Sequence, residues 1–171
     1  PVLPTPKGEN VLIITGAGGS GVLLSDSVVD NGLSLMQMPP DLDAAFRKFI
    51  PPFGAAGNPV DITGGEPPTT YQNTVRLGLE DERIHALILG YWHTIITPPM
   101  VFAKVITEVV QEMRDKGIVK PVVASLAGDV QVEEAADYLY QHGIVAYPYS
   151  TETPVAVLGA KYKWARAAGL L

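Results

Sequence analysis

The sequence predicts an α/β fold, a doubly wound five-stranded parallel sheet with helices on both faces. Three observations lead there. Apolar runs alternate with segments of helical period along the whole chain, the pattern of βαβ units. The runs "VLIIT", "ALILGY" and "PVVASL" are almost continuously apolar, as strands covered on both faces are. In "ITGAGGSGVLL", residues 14–24, four glycines separate the first such run from the first helical pattern.

Val11 to Thr15 is the first predicted strand, and Ser20 to Asn31 the first helix, ended by Gly32. Leu33 to Met38 is a second strand, stopped by Pro39-Pro40. Asp41 is the expected cap of a short helix ending near Ile50. The stretch "PPFGAAGNPVDITGGEPP" reads as a long turn-rich loop, a length that in a compact domain points to function or to disorder. A helix over 69–81 and a strand from Ile84 to Tyr91 follow. Thr97 is the expected cap of the next helix, with Pro98 in its first position, and Phe102, Val105, Ile106, Val109, Val110 and Met113 on one face. Pro121 to Leu126 and Ile144 to Tyr147 complete the strands. Between them lies a helix lined by Val132, Ala135, Ala136 and Leu139, and Thr151 to Ala168 closes the chain. The mixed "LSLMQM" and the short "IVAY" suit sheet edges, which suggests the flavodoxin-like order 2-1-3-4-5. In that order a crevice opens at the C-terminal ends of strands one and three, between Gly16–Gly21 and Trp92–Thr97.

Composition narrows the function. The chain has 171 residues, enough for one domain with a core, and its net charge of −6 excludes the basic stripe of a nucleic-acid surface. No apolar run reaches the length of a membrane span, and cysteine is absent, which removes thiolate metal sites and thiol nucleophiles. With three dispersed histidines, no metal site is expected. The cysteine-free composition fits a cytoplasmic protein. The opening "PVLPTPKGEN" lacks a methionine and a signal-peptide pattern. Its three prolines predict a linker over 1–9 ahead of a single domain over 10–171, excised from a longer protein.

Gly16, Gly18 and Gly21 fit G-x-G-x-x-G, with Gly19 as a fourth glycine. Such a loop lets the backbone approach a ligand and aims free N–H groups at an anion. It does not say which anion. A dinucleotide would want an acidic residue at the end of the second strand, where "MQMPPD" stands. A flavin phosphate would want more hydroxyls than Thr15 and Ser20, although Tyr91 and Trp92 offer stacking surfaces. A bare tight turn would rarely need four glycines. No lysine or arginine lies in the loop, unlike the G-K-[ST] of a nucleotide P-loop. Of the histidines, His85 and His142 read as surface or packing residues, while His93 falls at the expected crevice.

"GAGGSGVLLSD" together with "FIPPFGAAGNPVDITGG" resembles the NDP-forming acyl-CoA synthetases, a family that includes ADP-forming acetate–CoA ligase and is related to succinyl-CoA synthetase. More narrowly, nearly the whole chain is similar to the flavodoxin-like ligase domain that follows the domain bearing the phosphorylated histidine. The resemblance implies an acid–thiol ligase that interconverts acyl-CoA, phosphate and nucleoside diphosphate with carboxylic acid, CoA and nucleoside triphosphate. It implies a phosphohistidine on a neighbouring domain, held between two helix N-termini, one of them the helix that follows Gly16, Ala17, Gly18, Gly19, Ser20 and Gly21. It places Asn58, Pro59 and Asp61 near the same site, and Trp92, His93 and Thr94 near the carboxylic acid, although Trp92-His93 departs from the small residues expected there. CoA and ATP or ADP, with Mg, would serve the full enzyme, with none held covalently. CoA-binding, phosphohistidine-bearing and ATP-grasp domains would be its partners in an oligomer, and this domain alone would be inactive. The alternatives are a free-standing phosphate- or nucleotide-binding module, and an assembly domain whose glycine loop is structural.

Overall fold

The structure, a computed structural model, describes residues 3–171; the first two residues of the expected linker lie outside the described residues. The elements run β1 (Asn10–Thr15), α1 (Gly18–Asp30), β2 (Ser34–Leu35), α2 (Pro40–Phe46), β3 (Val60–Asp61), α3 (Pro68–Glu80), β4 (Ala86–Trp92), α4 (Pro99–Asp115), β5 (Val122–Ala127), α5 (Gln131–Gln141), β6 (Val145–Pro148) and α6 (Glu152–Ala167). All strand pairs are parallel.

Period-two alternation sends neighbouring strand residues to opposite faces. Val11, Ile13, Ala86, Ile88 and Val123 pack beneath α1 and α6, with Leu24, Val28, Val155 and Leu158. Leu12, Ile14, Leu87, Leu89, Ala124 and Leu126 pack on the other face, with residues of α2 to α5. Leu3, in the segment before β1, joins the first of these cores.

The expectation of five strands needs correction. The sheet has six, in the order β2-β1-β4-β5-β6, with β3 bonded to β1 as well. β2 pairs with the start of β1 (Val11 opposite Leu35), and β3 pairs with its end (Ile14 opposite Val60). Two short strands therefore share one edge, and β3 lies inside the stretch expected to be loop. Asn58 joins them. Its Oδ1 accepts from Ile13 N–H at 3.0 Å, and its Nδ2 donates to the carbonyls of Val11 at 2.8 Å and Met36 at 3.0 Å. One side-chain amide thus serves β1 where β2 has ended and β3 has not begun.

The second predicted strand shrinks from 33–38 to two residues for the same reason. The expected caps differ too. Pro39 and Pro98 precede α2 and α4 in extended conformation, with Pro40 and Pro99 in the first helical position. Asp41 instead sits in the first turn of α2 and pairs with Arg83 at 2.8 Å. Thr97 turns away from α4 and donates its hydroxyl to the Glu66 carbonyl at 2.9 Å.

Candidate functional site

Thr15 ends β1 fully buried, and its hydroxyl latches the turn that follows. It accepts from Ala17 N–H at 3.0 Å and donates to the Ala17 carbonyl at 2.9 Å. Gly16 N–H continues the sheet by donating to the Gly90 carbonyl at 3.0 Å. Ala17 is the extended residue before α1, and no side chain caps the helix. The first intrahelical bond runs from Gly21 N–H to the Ala17 carbonyl. The N–H groups of Gly18, Gly19 and Ser20 therefore have no intrahelical acceptor and no side-chain acceptor among the described residues. These are the amides that the aligned peptide dipoles make electropositive.

The glycines have different reasons. A methyl group at Gly16 would lie 2.3 Å from the Tyr71 hydroxyl, and one at Gly18 2.9 Å from Asp61 Oδ2. At Gly21 it would press on Thr15 and Pro59, which floors the first turn of α1. Gly19 faces open space.

One flank of the helix start borders a cavity of ≈ 470 Å³, lined by Ala17, Gly19, Ser20 and Leu23 of the α1 segment, Trp92 of β4, Ser125 and Ala127 of β5, and Tyr149, Ser150 and Thr151 before α6. No lysine, arginine or carboxylate lines it. Trp92 is half exposed, whereas Ser125 is buried. The α6 start on the far wall is already served, because Thr153 N–H donates to Ser150 Oγ at 3.0 Å. On the other flank Asp61 Oδ1 accepts from Thr63 N–H at 2.8 Å, which folds the β3–α3 loop beneath Gly16 and Gly18. Thr63 holds a positive φ of 64°, and Gly64 packs near the Gly16 carbonyl and Thr94.

A family model for the Ligase-CoA domain matches residues 11–171. The chain belongs to the Ligase-CoA domain family. It is 36% identical over 164 residues to the acetate–CoA ligase [ADP-forming] I subunit alpha of Pyrococcus furiosus, covering 96% of this chain and 34% of that one. It is 33% identical over 161 residues to the acetate–CoA ligase [ADP-forming] of Methanocaldococcus jannaschii, covering 94% of this chain and 23% of that one. Among solved structures, the apo form of the dinucleotide forming acetyl-coenzyme A synthetase 1 of Ca. Korarchaeum cryptofilum matches with a TM-score of 0.89 at 35% identity, over 98% of this chain and 36% of that one. The same synthetase in complex with phosphate and ADP matches with a TM-score of 0.88. This Ligase-CoA domain thus spans about a third or less of the relatives it matches.

Within the Ligase-CoA domain, Gly16–Gly21, Pro59, Asp61, Trp92 and Thr94 gather around the α1 start. Two expected site residues point elsewhere. The Asn58 amide is taken up by the sheet edge. His93 packs against Gly128 and sets its Nδ1 3.2 Å from Asp129 Oδ1, towards the β5–α5 loop. Thr94 Oγ1 accepts from Thr97 N–H at 3.1 Å and shapes the loop before α4. Sequence reasoning missed Tyr71, Ser125 and the Tyr149–Thr151 wall. Tyr71 falls on the same helical stripe as Val75 and Leu79, which reads as core, and the other two come from strand ends remote in sequence. Among the described residues no helix is long and apolar enough to cross a membrane.

Proposed function

We propose that this Ligase-CoA domain belongs to an NDP-forming acyl-CoA synthetase, an acid–thiol ligase, and that the start of α1 helps hold the phosphohistidine of a neighbouring domain. The observation that carries this reading is the uncapped α1 start, with three unbonded N–H groups beside a cavity free of charged side chains. Amides fixed by a helix hold a phosphoryl group without a point charge, so the group can be passed on rather than trapped. The relatives named ADP-forming acetate–CoA ligase support the reaction class. The complex of the Korarchaeum synthetase with phosphate and ADP supports phosphate and nucleotide as its reactants.

In this reading the intact enzyme converts carboxylic acid, CoA and ATP to acyl-CoA, ADP and phosphate, reversibly, with Mg accompanying the nucleotide. In the ATP-forming direction phosphate displaces CoA from acyl-CoA to give the acyl phosphate, the histidine takes its phosphoryl group and releases the carboxylic acid, and the phosphohistidine passes the group on to ADP. This domain contributes no reacting side chain. Gly16, Ala17, Gly18, Gly19, Ser20 and Gly21 form the cradle, Pro59 and Asp61 fix its floor and flank, and Asn58 fixes the strand that carries it. Trp92, His93 and Thr94 shape the loop towards the carboxylic acid. The partners are the CoA-binding, phosphohistidine-bearing and ATP-grasp domains, in the same chain or complex, in the cytoplasm.

Gly19→Asp tests the reading. The position faces open space, and a carboxylate in the first turn favours the helix, so the fold survives. In the intact ligase the added charge should repel the phosphoryl group from these amides and cut radiolabelled phosphohistidine at least about tenfold. Labelling at the wild-type level would overturn the role of α1.

A further inference from the structure

Three tyrosines are buried: Tyr71, Tyr91 and Tyr162. Two of them bond within the protein. Tyr91 donates its hydroxyl to the Thr97 carbonyl at 2.6 Å, and Tyr162 donates to Glu9 Oε2 at 3.1 Å. Tyr71 is only 4% exposed, yet its hydroxyl makes no hydrogen bond among the described residues. A buried polar group left unbonded needs an explanation. The oxygen is not sealed either, since Thr107 Oγ1 is the one fully enclosed side-chain polar atom without a partner among the described residues. The Tyr71 oxygen therefore keeps an opening.

The oxygen lies against Gly16, two residues ahead of α1. The ring is clamped by Phe102 of α4, edge-on at 5.0 Å, and by Tyr91 of β4, tilted at 6.3 Å, which holds the hydroxyl in place. It reaches the point where a side chain of residue 16 would begin, 2.3 Å from the position of a Cβ on Gly16, with the Thr63 carbonyl beside it. Asp61, the other group on this flank, brings negative charge. A neutral donor on this flank would give an anion at the helix start a favourable contact beside that carboxylate.

We propose that Tyr71 is a phosphoryl-binding residue, whose O–H donates to a phosphoryl oxygen held by the Gly18, Gly19 and Ser20 amides and enters the site through the space that Gly16 leaves empty. The inference rests on the reading of α1 as a phosphoryl cradle. Burial, then the neighbouring Tyr91 and Asp61, push the Tyr71 hydroxyl above the ordinary phenol range, so it stays a protonated donor at neutral pH.

The test titrates the isotope-labelled chain and its Tyr71→Phe variant with inorganic phosphate, followed by NMR at the Gly18, Gly19 and Ser20 amides and at the Tyr71 Cζ. In the wild type both sets of signals should move with one dissociation constant. In Tyr71→Phe that constant should rise about tenfold, the effect of removing a hydrogen bond to a charged acceptor. The variant's melting temperature should stay within about 2 °C, because no bond inside the protein is lost. Amides that move alike in both proteins, with a silent Cζ, would overturn the role of Tyr71 and leave the cradle standing. Silent amides in the wild type would overturn the cradle and the tyrosine together.

Discussion

Replacing Asn58 by alanine removes three hydrogen bonds at once, to Ile13 N–H, the Val11 carbonyl and the Met36 carbonyl. Each is worth about 1 kcal/mol net, and a buried N–H left without an acceptor costs about 1–3 kcal/mol. Val11 and Ile13 are fully buried and Met36 nearly so, which limits rescue by water. The expected loss is therefore about 3–5 kcal/mol, or roughly 10 °C in melting temperature for a domain of this size. Urea unfolding followed by circular dichroism measures it: the midpoint should fall with the slope unchanged. Asn58→Asp should fare no better, because it keeps the acceptor for Ile13 N–H but sets a carboxylate oxygen against two carbonyls. A loss under about 1 kcal/mol would refute the reasoning, since it would mean that these three bonds are no stronger than surface contacts. Weakened phosphate binding with stability intact would instead return Asn58 to the ligand site.

Gly16→Ala should cost about 1–3 kcal/mol by forcing a methyl group onto the Tyr71 oxygen, and adding Tyr71→Phe should recover most of it, because the next ring atom lies 3.4 Å away. A thermal double-mutant cycle with no coupling would contradict that contact. On the acid side, hydrogen bonds from Arg76 and then Lys116 hold the Glu112 carboxyl down at about 2, and Arg83 holds Asp81 below its usual value. A depressed carboxyl binds protons less readily folded than unfolded. Its contribution is therefore complete above the ordinary value of 4.5 for Glu112 and is lost as pH falls from there towards about 2. Arg76→Ala should flatten this limb in melting curves recorded against pH, and an unaltered limb would contradict the assignment. Burial holds His85 below the usual histidine range, and its Nδ1 accepts from Asn10 N–H at 3.1 Å. The stability it adds is complete above the ordinary value of 6.5 and declines as pH falls through it. His85→Gln melting curves that keep the same decline would assign it elsewhere.

What the sequence made legible follows from how local each signal is. Continuous apolarity marks β1, β4 and β5 because both faces of those strands are covered. The glycine spacing locates the α1 start because its chemistry is in the backbone. The edge shared by β2 and β3 was hidden because it depends on Asn58 bonding to Met36 and Val11, residues 22 and 47 positions away. Proline pairs displaced Asp41 and Thr97 from their expected capping positions because a proline's fixed φ already suits the first turn. The direction of His93 is set by Gly128 and Asp129, across the sheet. Tyr71 looks like one more core residue of α3, and only the folded chain brings its hydroxyl to Gly16.

A crystal structure of the chain grown with inorganic phosphate tests the cradle most directly. Phosphate oxygens are expected within hydrogen-bonding distance, about 3 Å, of the Gly18, Gly19 and Ser20 nitrogens. Finding those nitrogens bonded to the Asp61 carboxylate, with phosphate bound elsewhere or nowhere, would contradict it.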